Sequence, residues 1–164
     1  MYMKIFPDNY KKFNQLLTSF YYTALIILLV AMALFYYSVK SSFTDFRHPE
    51  KYLIISFSII ILSFISTYFI QQNLLKRAAM QGTVKEKLQF YLIITIVKTI
   101  IFVTTGFLNL AFFLITQNKI FLFFTAYSVL MLLLMRPNED KMIEDLLLTI
   151  HEKEFITNPE RKFD

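Results

Sequence analysis

Polar and apolar positions in this chain come in blocks rather than in alternation. Four apolar runs, roughly Ser19–Val39, Tyr52–Ile70, Phe90–Thr116 and Ile120–Met135, each end at charged or turn-forming residues. Each run is close to the ~20 residues a helix needs to cross a hydrocarbon core of ~30 Å. Between and after the runs the pattern changes. Beyond the second, Leu74-Leu75-Lys76-Arg77-Ala78-Ala79 continues in good helix formers as far as Gly82. Gly82 is placed to end that helix as its left-handed residue, and Thr83-Val84-Lys85-Glu86 has the spacing of a capping box opening the next. The second and third spans are therefore expected to extend about one to three turns past the membrane as a basic helical hairpin.

Past the fourth run a helical period returns with a different purpose. Pro137 stops the span, and Asn138 can cap a new helix whose first turn holds Glu139 and Asp140. Met142, Ile143, Leu146, Leu147 and Ile150 then fall on one face, with Glu144, Asp145, Glu152 and Lys153 on the other. Such a face needs a cover: the membrane interface, the ends of its own bundle, or another subunit. The acidic character of this tail argues against tight binding to an anionic membrane. Docking on the basic second loop (Lys76, Arg77, Lys85 and Lys87), in the same or a neighbouring subunit, is the economical expectation. That loop has two readings of its own, a solvated segment that sets topology or a patch for anionic lipid head groups or an acidic partner. In the second reading each Lys or Arg adds only ~1 kcal/mol.

Composition narrows the chemistry. The 164 residues are 56% hydrophobic, which leaves room for one bundle (residues 1–136) and a short tail (137–164) but no further domain. There is no cysteine, and His48 and His151 lie far apart without ligand-type spacing. Disulfide, metal and histidine-based catalytic readings fail on that count, and no catalytic residue, cofactor or metal is expected. Gly82 and Gly106 are the only glycines, so no GxxxG pair exists, and every proline lies outside the apolar runs. Transporters commonly break helices with such residues around a midplane site; continuous helices suit a static bundle better. The amino end resembles a secretory signal, with Lys4, Lys11 and Lys12 before an apolar stretch and Ala31-Met32-Ala33 as a cleavage-like site. The run continues through Leu34-Phe35-Tyr36-Tyr37, long enough to span, so an uncleaved first helix is expected.

The net charge of +5 looks like a nucleic-acid signal, but its distribution follows topology. Twelve Lys or Arg fall in the amino segment, second loop and carboxyl segment, against four in the first and third loops. The positive-inside bias puts both termini in the cytoplasm. Tyr21-Tyr22 would then mark the inner interface, and Tyr36-Tyr37 with Tyr52 the outer one.

The third span carries the one charge inside any run. Thr95, Lys98, Thr99, Thr105, Gly106, Asn109 and Thr116 share an arc of about 120° at ~100° per residue, while Thr104 faces away. This stripe is expected to face the bundle interior, packing on Ser56, Ser63 and Thr67 of the second span. It reads either as interhelical hydrogen bonding worth ~0.6 kcal/mol per pair or as a polar path for an ion or small solute. Lys98 is a functional candidate by position, for conduction or anion binding. Residue counting instead places it level with Gln71, Gln72 and residues 136–140, where it can snorkel to the inner interface or pair with Glu139 or Asp140. Asn109 falls at the depth of Tyr127, a candidate interior hydrogen bond.

The junction Met135-Arg136-Pro137-Asn138-Glu139-Asp140-Lys141-Met142-Ile143-Glu144-Asp145-Leu146 resembles the tail of small four-span inner-membrane proteins of Bacteroidota, a group whose function is not established. The resemblance implies a bacterial inner-membrane protein and carries over no catalytic or binding residue. The expected fold is all-α, an integral membrane four-helix up-down bundle with a C-terminal amphipathic cytoplasmic helix. The expected function is non-enzymatic: an accessory subunit or membrane scaffold, partnered by the lipid bilayer and by a second copy or another membrane protein, not by nucleic acid. The alternative is a small homo-oligomeric transporter or channel lined by Thr95, Lys98, Thr99, Thr105 and Asn109.

Overall fold

A computed structural model of the chain describes residues 7–39 and 50–163. Lys4, and Lys40, Arg47, His48 and Pro49 of the first loop, lie outside the described residues. Among the described residues six α-helices follow one another: α1 (Tyr10–Val39), α2 (Glu50–Ala79), α3 (Val84–Thr116), α4 (Ile120–Leu134), α5 (Glu139–Asp145) and α6 (Ile150–Thr157). The fold is all-α, and β pairing among the described residues is limited to one isolated bridge between Asn9 and Lys162. Helices α1, α2 and α3 are each long and apolar enough to cross a membrane. Helix α4, at 15 residues, is only ~22 Å long. It qualifies as a span only when taken together with α5 across residues 135–138, so the count is three to four.

The long helices outrun the apolar runs that seed them. Helix α2 continues nine residues past Ile70, and α3 starts six residues before Phe90. Thr83 opens α3 as its spacing predicts, accepting from the Glu86 backbone N–H at 3.3 Å and donating to the Glu86 carboxylate at 3.0 Å. Gly82, however, does not end α2. The helix stops at Ala79 and no glycine adopts a positive φ. Its last turn tightens instead, with Met80 N donating to Arg77 O and Gln81 N to Ala78 O, while the Gln81 side chain covers the Arg77 carbonyl. The left-handed helix stops are Gln117 (φ 54°) and Leu147 (φ 50°), neither of them glycine.

Leu147 changes the tail. The expected single amphipathic helix from Asn138 is two short ones, broken where Leu147 N donates to Glu144 O and Leu148 N to Ile143 O. That pair of bonds is a Schellman motif, with Leu147 at the position glycine normally takes. A new helix then opens at Thr149, whose hydroxyl accepts from Glu152 N while the Glu152 carboxylate accepts from Thr149 N, a reciprocal capping box.

Two compact units emerge. The first, the tail unit, comprises the chain up to Tyr21, Phe69–Val97, and the chain from Pro137 on. Its core joins Tyr10, Phe13 and Leu17 of α1, Ala78 of α2, Val84, Leu88, Tyr91 and Leu92 of α3, and Met142, Leu146, Leu148 and Ile156 of the tail. The second, the span unit, comprises Tyr22–Tyr68 and Lys98–Arg136. Within it, α2 and α3 run antiparallel, since Tyr52 stacks on Phe112 and Ser63 meets Thr105. Helices α3 and α4 are antiparallel too, through Phe112 on Phe121 and Gly106 beside Thr125.

Candidate functional site

Helix α2 is inside out along its apolar run. Between residues 51 and 70 the buried side chains are Ser56, Ser63 and Thr67, while Ile54, Phe57, Leu62, Phe64, Tyr68 and Phe69 are all more than half exposed. Spacings of seven and four keep the three hydroxyls on one face. That face meets α3: the Ser63 and Thr105 hydroxyls lie 2.6 Å apart in a shared hydrogen bond. Each is also within reach of its own i−4 carbonyl, Ile59 O at 2.7 Å and Ile101 O at 2.9 Å. Whichever hydroxyl does not donate across the seam can therefore give its proton to its own helix.

The α3 stripe is buried. Thr99, Thr105, Gly106, Asn109 and Thr116 are interior positions of the span unit, Thr95 is interior to the tail unit, and Thr104 is exposed. Lys98 is half-buried. The Asn109 amide donates to Thr105 O one turn back at 2.9 Å, rather than reaching Tyr127. From α4, Thr125 donates to Phe121 O at 3.0 Å and lies 3.4 Å from Gly106 O. Gly106 allows that approach and one more, because a Cβ there would sit 2.8 Å from a Leu28 methyl carbon of α1. Thr125 and Ser128 of α4 are fully buried polar positions outside the predicted stripe, and their i, i+3 spacing is the sequence signal that marks them. Among the described residues of this unit, three buried side-chain polar atoms lack a hydrogen-bond partner: Ser56 Oγ, Thr67 Oγ1 and Asn109 Oδ1.

The candidate patch and the candidate partner face meet in the tail unit. Met142 and Leu146 are buried and Ile143 packs against the same core, whereas Leu147 and Ile150 are 71% and 81% exposed. Leu148 takes the interior place that periodicity gave to Leu147, since the left-handed turn advances the register. Lys76 and Arg77 are at the surface and Lys85 is half-buried. Lys87 is buried, and its Nζ donates to both Glu152 oxygens, at 2.7 and 3.0 Å. Burial alone would raise the Glu152 carboxyl, but the Lys87 and Thr149 hydrogen bonds and the Lys87 charge together hold it below the usual carboxylate range. Helical periodicity puts Glu152 opposite the apolar face, whereas the structure turns it onto Lys87. The signal that could have found it is Thr149-Ile150-His151-Glu152, a capping-box spacing that marks a helix start in mid-tail.

The tail also closes on α1. Lys11 N donates to Pro159 O at 2.9 Å, Phe163 N to Asp8 O at 2.8 Å, and the Lys11 ammonium to Glu160 at 2.9 Å. The hydrogen bond from Lys11 holds the exposed Glu160 carboxyl below its ordinary range. Asn14 donates to Glu139 at 3.3 Å. Arg161 lies over the Phe155 ring and pairs with Glu154, and Phe155 in turn stacks on Phe163.

With this geometry in hand, comparison with models of known protein families, with curated proteins and with solved structures finds no match for the chain.

Proposed function

We propose that this chain is a non-enzymatic scaffold or accessory subunit of a bacterial inner membrane, built as an up-down bundle of four spans with both termini in the cytoplasm. The observation that carries the membrane reading is the inverted polarity of α2, whose hydroxyls are inside and whose large apolar side chains are outside. Water would punish that arrangement; hydrocarbon rewards it. Antiparallel contacts within the span unit support the up-down order, and the Lys and Arg bias supports the orientation. Arg136 over the Tyr22 ring, 5.6 Å from its centroid, suits an interfacial level where aromatic and cationic groups gather. The scaffold reading rests on closure. Ser63 and Thr105 hydrogen-bond directly, Gly106 is filled by Leu28, and Phe102, Leu110 and Phe121 are fully buried.

Extraction in a mild polymer at native expression, followed by native mass measurement and identification of what co-migrates, tests this reading. A stoichiometric foreign partner makes the chain an accessory subunit. A homo-oligomer with nothing else bound supports the second reading, a small oligomeric transporter or channel. That reading is favoured by the three unpartnered polar atoms and by half-buried Lys98. Combining Lys98→Met, Thr99→Val and Asn109→Leu would abolish flux through such a path, and unchanged flux would rule it out.

A further inference from the structure

We propose that the α2–α3 seam of the span unit binds ordered water, with one molecule bridging Ser56 Oγ and Asn109 Oδ1. A hydroxyl on a helix always has a local outlet, the carbonyl four residues back. Thr95, Thr116, Thr125 and Ser128 use it, and Ser63 and Thr105 have it within reach. Ser56, fully buried on the same α2 face, does not, and its oxygen has no partner. Neither does Thr67, one turn beyond Ser63. Turned away from their own carbonyls, these hydroxyls need a partner from the seam.

Asn109 presents the complementary requirement. Its Nδ2 donates to Thr105 O, so flipping the amide would set two acceptors against each other, and Oδ1 stays without a donor at 1% exposure. Register brings the two groups together. Ser56 lies four residues along α2 from Tyr52, and Asn109 lies three residues back along α3 from Phe112, the ring that Tyr52 stacks on. At ~1.5 Å per residue both sit one turn in from the same contact, on the sides of that contact that lead to the Ser63–Thr105 bond. Water fits both needs, donating to Oδ1 and either donating to or accepting from the hydroxyl. Such a molecule needs at least two polar partners, which these residues supply. An unsatisfied acceptor costs more in a membrane interior than in a wet one, so the driving force for filling this site is strong.

The test is proton-detected solid-state NMR of protein labelled at asparagine and leucine, in lipid bilayers, reading magnetisation transfer from water. The Asn109 side-chain amide is assigned by its loss in Asn109→Leu, and the backbone amide of Leu110, buried on the next position, serves as the dry control. Transfer to the Asn109 amide but not to Leu110, lost in Ser56→Ala and kept in Ser56→Thr, is the expected result. No transfer in the wild-type protein, as a direct Ser56–Asn109 hydrogen bond would give, overturns the proposal. Transfer that survives Ser56→Ala overturns the bridge equally. The wild-type reading decides even if a variant fails to fold, and a negative result leaves the scaffold reading untouched.

Discussion

In the tail unit, polar groups find partners far along the chain: Lys87 reaches Glu152, Lys11 reaches Glu160 and Asn14 reaches Glu139. In the span unit Thr116, Thr125 and Ser128 turn back on their own helix, and Ser63–Thr105 crosses between α2 and α3. Core composition differs in the same sense. The tail unit buries Phe13, Leu88 and Leu146 and pairs its buried Lys87 with Glu152, whereas α2 of the span unit buries hydroxyls and exposes Phe and Ile. The proposed membrane setting accounts for the difference as one of solvent. Against water, apolar burial drives assembly and charges can pay their way at the edge of the core. Against lipid, apolar burial gains nothing, and helices associate through close packing and the few polar groups they hide.

The sharpest way to break that comparison is to make the same truncation on each side. Phe13→Ala, in the tail unit core, should cost about 3–5 kcal/mol. Phe57→Ala, 59% exposed on α2, should change bilayer stability by well under 1 kcal/mol. Reversible unfolding in bicelles or nanodiscs measures both, and equal costs would mean that α2 does not face lipid. Next in size, Lys87→Met should loosen the tail by roughly 2–3 kcal/mol, below the figure for a wholly enclosed pair because both side chains keep slight exposure. The loss should appear as faster hydrogen exchange in α5 and α6, and Lys87→Met with Glu152→Leu should recover part of it. Gly106→Ala tests the span side by forcing Leu28 aside, at about 1–3 kcal/mol, with little change in tail exchange.

Acid should separate the units without mutation. The folded-state Glu152 carboxyl titrates below its unfolded value, so its contribution is complete above the ordinary carboxylate range near pH ~4.3 and fades as pH falls through the folded value. Glu160 acts in the same direction. Protection factors in α5 and α6, taken against the slower intrinsic exchange of acid solution, should therefore fall at low pH, while those of α4 hold. In the span unit Glu50 is the sole carboxylate among the described residues. The smallest effect is a gain. Leu147→Gly relieves a left-handed leucine whose side chain is 71% exposed, and should stabilise the tail by up to about 1 kcal/mol in the same assay.

Much of the span unit was legible in the sequence, since a helix in lipid satisfies its own backbone and the apolar runs mark its length. The stripe and the facing hydroxyls of α2 followed from a 3.6-residue period alone. The tail resisted because its break depends on conformation more than composition. Periodicity carries a helix straight through Leu147, and nothing about a leucine announces a positive φ. Gly82 misled in the opposite direction, a residue suited to left-handed backbone that does not adopt it. Lys87 read as a surface cation because its counter-charge lies 65 residues away, beyond any local pattern.

The closure between α1 and the tail also bears on how the chain is made. Lys11 pairs with Glu160, 149 residues later, and Asn9 bridges to Lys162. Helices α1 to α4 are synthesised before the residues that complete the tail unit, so part of the core around Phe13 must wait, exposed, for most of translation. Contacts of such long sequence separation form late and slowly. A chain halted before residue 140 would leave Phe13, Leu88 and Tyr91 without the cover that Met142, Leu146, Leu148 and Ile156 give them, an open apolar face of the kind that aggregates.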